Sequence, residues 1–285
     1  MKTVLETIRS GAPWLEKAGV ENARLNMEHL LAKVLGCRRM QLYMDFDRPL
    51  SEDQLSPLRD LVKRRGKGEP LQHLLGTWEF CGREFKCDAR ALIPRPETEE
   101  LVEKIFAECR RDGAQPPADI LDMGAGSGVI GLSLAFAFPD ARIVLADISP
   151  EALTLAQENA EKLGLARERM SFVQSDLFAS LAGRRFDLIA ANLPYIAAAE
   201  IPALSPEVQR DPLLALDGGP RGTELIERFM EVLPQHLTLN GLVALEVGAG
   251  QTEHLAEVMR RSGLRDVTAA NDLSRRDRFL FGRAL

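Results

Sequence analysis

No stretch of this 285-residue chain approaches the roughly 18 consecutive apolar residues that a membrane-spanning helix needs. No membrane partner is therefore expected. The start, Met1-Lys2-Thr3-Val4-Leu5-Glu6, is interrupted by charge too early to be a signal peptide. Cysteine is scarce, and Cys37, Cys81, Cys87 and Cys109 form neither a Cys-x-x-Cys pair nor a metal-ligand spacing. A secreted disulfide scaffold and a metal site are both unexpected, and a reducing cytoplasm suits the four thiols better. His29, His73, His236 and His254 show no catalytic spacing and read as surface or packing residues. Positive charge is not in excess: 36 Lys/Arg stand against 42 Asp/Glu, a net charge of −6, which argues against a general nucleic-acid binder. Internal repeats and low-complexity segments are also missing.

What is present is an ordinary globular composition. Hydrophobic residues make up 45% and charged residues 27%, enough for a sizeable core and about two domains. Residues 1–70 carry 13 Lys/Arg against 10 Asp/Glu, and the remainder 23 against 32, so a mildly basic front precedes an acidic body. Residues 3–75 read as helices. Val4, Leu5, Ile8, Leu15 and Ala18 share one face before Gly19, and Leu25, Leu30, Leu31, Val34 and Leu35 continue before Gly36. Ser51-x-x-Gln54 is a capping box for a third helix. That helix ends in Lys63-Arg64-Arg65-Gly66-Lys67, read as a solvated helix end rather than a nucleic-acid patch. Phe80 to Cys87 has the aromatic and glycine content of a hairpin. Pro94 and Pro96 then hold an extended approach to a helix through Leu101, Val102, Ile105 and Phe106. From residue 118, strands and helices alternate, which implies a mostly parallel sheet covered on both faces. The strands are expected near 120–122, 141–147, 170–174, 186–191 and 242–247, with antiparallel ones near 265–270 and 278–282.

Two stretches carry chemistry. Phe186 to Ala191 is a buried strand that runs into Asn192-Leu193-Pro194-Tyr195. The Asn side chain offers a carbonyl acceptor. Leu193, before a proline, is pushed toward extended backbone, and the Pro194 carbonyl is a second acceptor. Tyr195 adds an aromatic wall. Two acceptors beside an aromatic suit a planar group ending in –NH2: a glutamine amide, an adenine or a cytosine. An ordinary strand-to-loop turn is the competing reading. Upstream, Asp122-x-Gly124-x-Gly126-x-Gly128 lets backbone approach a ligand at the C-terminal edge of a parallel sheet. Asp147, closing the next strand, can accept hydrogen bonds from two ribose hydroxyls. Gly126-Ser127-Gly128-Val129-Ile130-Gly131 also fits the dinucleotide pattern. S-adenosylmethionine is favoured over a dinucleotide on three grounds. Asp122 suits a charged amino acid tail, Asp176 is placed to reach an adenine edge or to support its loop (a helix N-cap being the competing reading), and an –NH2 receptor gives a methyl donor something to methylate.

Ala91-Leu92-Ile93-Pro94-Arg95-Pro96-Glu97-Thr98-Glu99, the glycine loop, Asp147 and Asn192-Leu193-Pro194-Tyr195 together closely resemble the HemK/PrmC family. These are protein-(glutamine-N5) methyltransferases acting on class I peptide chain release factors. The resemblance covers nearly the whole chain, including the turn Leu214-Ala215-Leu216-Asp217-Gly218-Gly219. The Pro-Arg-Pro-Glu-Thr-Glu stretch is its specific element. The resemblance implies an α/β, Rossmann-like class I S-adenosylmethionine-dependent methyltransferase domain (96–285), an N-terminal helical substrate-docking domain (1–75) and a β-hairpin linker (76–95). It implies cofactor contacts at Gly124, Ala125, Gly126, Ser127, Gly128, Asp147, Asp176, Leu177 and Asn192, with S-adenosylhomocysteine as product and no metal. It implies a substrate amide held along Asn192-Leu193-Pro194-Tyr195, with Asn192, Pro194 and Tyr195 as the catalytic set. Members commonly carry proline at the position of Leu193 and an aromatic at that of Leu177, where Phe178 is a candidate substitute. A ribosomal-protein glutamine methyltransferase and a nucleic-acid adenine or cytosine amino-methyltransferase are the alternatives.

Overall fold

The computed structural model describes residues 2–110 and 115–285. The chain forms two compact units, Met1–Trp78 with Ser205–Arg210, and Glu79–Leu204 with Asp211–Leu285.

The first unit is helical: α1 (Val4–Lys17), α2 (Ala23–Leu35), α3 (Glu52–Gly66) and α4 (Leu71–Leu75). Thr3 and Glu6 form a capping box at α1 that the sequence reading passed over, and Ser51 and Gln54 form the expected one at α3. Val4, Ile8, Leu15, Leu30, Leu31, Leu58 and Leu71 make the core. Leu25 does not join it; the side chain is exposed because α2 turns its other face inward. The basic run at the end of α3 departs from the expected solvated helix end at Arg65. Arg65 is only 3% exposed, donating to Asn26 Oδ1 at 2.7 Å and to the Glu69 carbonyl at 3.2 Å, and pairing with Glu207. A buried guanidinium needs such partners, and it finds one in the Ser205–Arg210 hexapeptide. By position in the sequence that hexapeptide falls within the expected 96–285 domain, yet it packs within the helical unit.

The chain enters the second unit through β1 (Thr77–Phe80) and β2 (Arg83–Lys86), a two-stranded hairpin. A lone hairpin is marginal in water. Here Phe80 and Phe85 are fully buried and meet edge to face, 6.0 Å apart at 89°, inside the larger core. The Cys81 N–H donates to Glu99 at 2.8 Å, and the Lys86 N–H to Asn159 Oδ1 at 2.6 Å. The expected linker is thus an integral part of the second unit from Glu79 onward.

The remaining elements are α5 (Pro96–Cys109), β3 (Asp119–Met123), α6 (Val129–Ala137), β4 (Arg142–Asp147), α7 (Pro150–Lys162), β5 (Met170–Gln174), β6 (Phe186–Asn192), α8 (Glu224–Val232), β7 (Leu237–Glu246), α9 (Thr252–Arg261), β8 (Arg265–Asn271) and β9 (Asp277–Arg283). The seven-stranded sheet has the order β5-β4-β3-β6-β7-β9-β8, parallel except where β9 pairs with β7 and β8. Successive residues alternate between two cores, as a sheet covered on both faces requires. Ile120, Ile143, Leu145, Leu188 and Ala190 face α5, α6 and α7 residues such as Leu101, Leu132 and Ala156. Leu121, Val144, Ala146, Ile189 and Ala191 face Ile226 and Phe229 of α8 and Leu255 of α9. The strand expected at 242–247 starts earlier, at Leu237, with a register shift beside Phe186/Leu188. The order reverses at β3: β4 lies on one side of it and β6 on the other. Such a switch point opens a crevice at the carboxyl ends of the strands.

Candidate active site

A cavity of about 520 Å³ sits at that crevice, within the size range of small-molecule sites. It is bounded by Ala91 to Arg95, the loop after β3, the ends of β4 and β6, and the segments 175–177 and 212–219. Every residue bounding it belongs to the second unit.

Its first half is built by the glycine loop. Gly124 has a φ of +70°, and a Cβ there would lie 2.9 Å from Leu193 Cδ2, so close approach and backbone conformation both demand glycine. The Gly124 and Ala125 N–H groups donate to the Ala146 carbonyl at 2.8 and 3.0 Å, pinning the loop to β4. Asp147 receives the Gly126 N–H on Oδ2 at 2.8 Å and the Ser149 N–H on Oδ1 at 2.9 Å. Each oxygen keeps a lone pair for a ligand hydroxyl. Burial raises the Asp147 pKa and the backbone donors oppose it. Gly124, Ala125, Gly126, Ser127, Asp147, Asp176, Leu177 and Asn192 all line the cavity; Gly128 does not, its N–H closing the turn onto the Ala125 carbonyl.

Three expectations change. Asp122 is fully buried and does not line the cavity. Its Oδ2 accepts the Gly131 N–H at 2.7 Å and fastens the first turn of α6, while burial pushes its carboxyl up to about 7. Phe178 cannot stand in for an aromatic at Leu177, because it is buried and stacked on His236 and Phe229 at 4.3 and 5.2 Å. Leu177 itself, at a φ of +49°, turns toward the cavity. Asp176 is exposed and paired with Arg228 at 3.1 Å, and the loop is capped by Ser175 Oγ, which accepts the Ser180 N–H at 2.9 Å.

The second half is the tetrapeptide closing β6. Asn192, Leu193 and Pro194 line the cavity; Tyr195 does not. The Tyr195 ring packs against the α8/α9-side core, with the Arg278 guanidinium 5.8 Å from its centroid. Burial pushes its hydroxyl up to about 12, so the phenol stays protonated. The backbone here is held from three sides. Gln251 Nε2 donates to the Tyr195 carbonyl at 2.9 Å, the Ile196 N–H to the Leu216 carbonyl at 3.1 Å, and the Gly218 N–H to the Ile196 carbonyl at 2.9 Å. A Cβ on Gly218 would lie 2.7 Å from the Pro194 carbonyl oxygen, so glycine there leaves room beside that acceptor.

Sequence reasoning missed the hydrogen-bond partners of Asn192, of which Thr98 also lines the cavity. Asn192 Nδ2 donates to Thr98 Oγ1 at 3.2 Å, and Thr98 Oγ1 donates to Glu246 Oε2 at 2.7 Å. Glu246 is 1% exposed at the end of β7, and burial pushes its carboxyl up to about 7. A lone acid closing the apolar run Leu242-Val243-Ala244-Leu245 was the available signal, since a buried carboxylate must find donors. The Pro-Arg-Pro-Glu-Thr-Glu stretch also turns out to be a fastening. The Ile93 N–H and Arg95 both bind the buried Asp211, at 3.1 and 2.6 Å, while Thr98 holds Asn192 and Glu99 holds the hairpin. Among the described residues no group of three or more His, Cys, Asp or Glu could hold a metal ion, and no helix is long and apolar enough to cross a membrane.

The geometry fits S-adenosylmethionine. An apolar wall from Ala152, Leu177 and Leu193 suits an adenine, and the carboxylate of Asp147, with lone pairs to spare, suits a ribose diol. Known proteins agree on the class of chain. Residues 6–76 match the family model described as PrmC N-terminal domain, and residues 101–205 the one described as Methyltransferase small domain. The release factor glutamine methyltransferase of Geobacter sulfurreducens is 42% identical over 99% of this chain and 98% of its own length. Among solved structures, the catalytic domain of hMettl16, in complex with the MAT2A 3'UTR hairpin 6, has a TM-score of 0.56 at 16% identity, covering 78% of this chain and 81% of that one. The T. Thermophilus 16S rRNA N2 G1207 methyltransferase (RsmC), in complex with AdoMet and guanosine, has a TM-score of 0.54 at 18% identity, covering 73% and 50%. At those identities the structural likeness shows the fold alone.

Proposed function

We propose, since this chain belongs to the release factor glutamine methyltransferase family and its second unit has the Rossmann-like class I methyltransferase fold, that it methylates the side-chain amide nitrogen of a glutamine in class I peptide chain release factors. The glutamine is that of the Gly-Gly-Gln motif. The observation that supports the reading is that Asn192, with its Nδ2 engaged by Thr98, and Pro194 line the same cavity as Asp147, and we read Asn192 Oδ1 and the Pro194 carbonyl as its two acceptors. S-adenosylmethionine, when bound, supplies a methyl group already activated by its sulfonium, and S-adenosylhomocysteine is the product.

The chain's own residues address the harder partner. An amide nitrogen shares its lone pair with its carbonyl and is a poor nucleophile. Acceptors at Asn192 and Pro194 hold both of its N–H groups and so fix the amide plane. They bind more strongly as positive charge grows on nitrogen, which is the differential binding that lowers a barrier. Glu246 is not among the cavity-lining residues, and no general base is assigned; the proton leaves to water. Asp147 holds the ribose, Leu177 and Leu193 wall the base, and Asp176 supports that loop through Arg228. Tyr195 contributes by packing behind the acceptors. We assign the helical unit, with its 13 basic residues in the first 70, to docking of the release factor, and the reaction to the cytoplasm, which the four unbridged cysteines suit.

Two outcomes follow. Mass spectrometry of a release factor incubated with enzyme and methyl donor should show one added methyl, and its Gln→Ala variant none. Label on that variant, or on an adenine-containing duplex, would overturn the substrate. Gly218→Ala should push on the Pro194 carbonyl and lower turnover about tenfold, because catalysis depends steeply on placement of the reacting groups. Methyl-donor affinity should change little. Unchanged turnover in a folded Gly218→Ala protein would remove the Pro194 carbonyl from the receptor.

A further inference from the structure

An Asn side chain can present either oxygen or nitrogen, and only one choice makes a receptor for N–H groups. At Asn192 the choice is made by its hydrogen-bond partner Thr98, which lines the cavity beside it, and by Glu246, which does not. Glu246, when ionised, has no proton to give, so the Thr98 hydroxyl spends its single proton on Glu246 Oε2 at 2.7 Å. The Thr98 oxygen can then only accept. Asn192 must meet it with Nδ2, at 3.2 Å, which turns Oδ1 away from Thr98. When Glu246 carries a proton, the carboxyl can donate to Thr98, Thr98 can donate to Asn192 Oδ1, and the reversed amide also finds a partner.

We propose that Thr98 and Glu246 are positioning residues, which lock the Asn192 amide with its oxygen toward the substrate nitrogen, and that protonation of Glu246 releases the lock. The inference rests on the reading of Asn192 as an acceptor. Glu246 is faced by Thr98 and Glu97 of α5, Asn192 at the end of β6, Tyr195 beyond it, and Arg278 of β9. Arg278 donates to the Val247 carbonyl at 3.1 Å and lies 3.9 Å from Asp272. Burial is the largest influence, Glu97 adds to it, and Thr98, Arg278 and Asn192 oppose it, leaving the carboxyl raised to about 7. A raised carboxyl is ionised above that value and gains its proton as pH falls through it. The locked receptor therefore belongs to the alkaline side.

The test uses the full chain with a release factor substrate and saturating methyl donor, over about pH 5.5–8.5. Wild-type turnover should fall on the acid side. Glu246→Gln, of the same shape but without the titration, should lose that limb. Thr98→Val should lower turnover about five- to tenfold, the scale of one orienting hydrogen bond, with methyl-donor affinity unchanged and Thr98→Ser restoring the wild-type profile. A second readout needs no turnover. In 15N-labelled protein, the Asn192 side-chain NH2 pair, identified by its loss in Asn192→Ala, should move with the acid limb in wild type and stay fixed in Glu246→Gln. An acid limb that survives in Glu246→Gln, or an Asn192 signal that titrates identically in both, overturns the proposal. If instead Asn192→Ala keeps full turnover, it is the acceptor reading that falls.

Discussion

Replacing Asn192 with alanine is expected to lower turnover roughly 10²–10³-fold, the loss seen when one preorganised polar group at a charge-developing site is deleted. The side chain lies on the cavity wall, and its Nδ2 is committed to Thr98, so what the cavity loses is one acceptor. That acceptor matters most when the amide nitrogen becomes cationic, which is why the loss should fall on turnover and less on substrate binding. The fold should survive, because β6 is held by its ladder to β3 and β7. The control is the affinity for S-adenosylmethionine, measured by calorimetry, which should change by a far smaller factor. Turnover within a few-fold of wild type would take Asn192 out of the chemistry.

Asp147→Ala should act on the other half of the site. The carboxylate ties down Gly126 and Ser149 and is the one group at the end of β4 able to accept from two vicinal hydroxyls. A hydrogen bond to a charged group contributes about 1.5–3 kcal/mol. Losing two of them should therefore weaken methyl-donor binding by at least about 10²-fold. Turnover at saturating methyl donor should recover most of its wild-type value. An unchanged dissociation constant for S-adenosylmethionine would refute the ribose assignment, whatever happened to the rate.

The parts of this site that could be read in advance are those whose meaning is local. A glycine run after a buried strand, an acid closing the next strand and a proline within Asn192-Leu193-Pro194-Tyr195 each constrain their own backbone, so the sheet's switch point and three of its loops were legible. The rest depends on pairings across long separations. Thr98 reads as one polar residue near a helix start until it meets Asn192, 94 positions on, and Glu246, 148 positions on. Asp211 reads as a loop acid until Arg95 reaches it from 116 positions away. Asp122 has a structural role that its position does not reveal. Its place before the glycines suggested a ligand contact, but its Oδ2 holds the Gly131 N–H and the side chain has no exposed surface. Phe178 misled because aromatic character carries no direction; its ring went to His236 and the core.

The hexapeptide Ser205–Arg210 sets a rule of inheritance for the helical unit. Because Arg65 is almost wholly buried and takes Glu207 as a partner, that unit is encoded in two places, one before the hairpin and one between the tetrapeptide and Gly218. A chimaera that swapped only residues 1–78 between two relatives would seat a foreign guanidinium against a native hexapeptide, or leave it without its carboxylate. Recombination that respects the molecule has to carry both segments together. Any change of protein substrate that proceeds through the helical unit is then a correlated change at two sites in the gene, and a graft of preference from one relative to another should succeed only when the six residues travel with the seventy-eight.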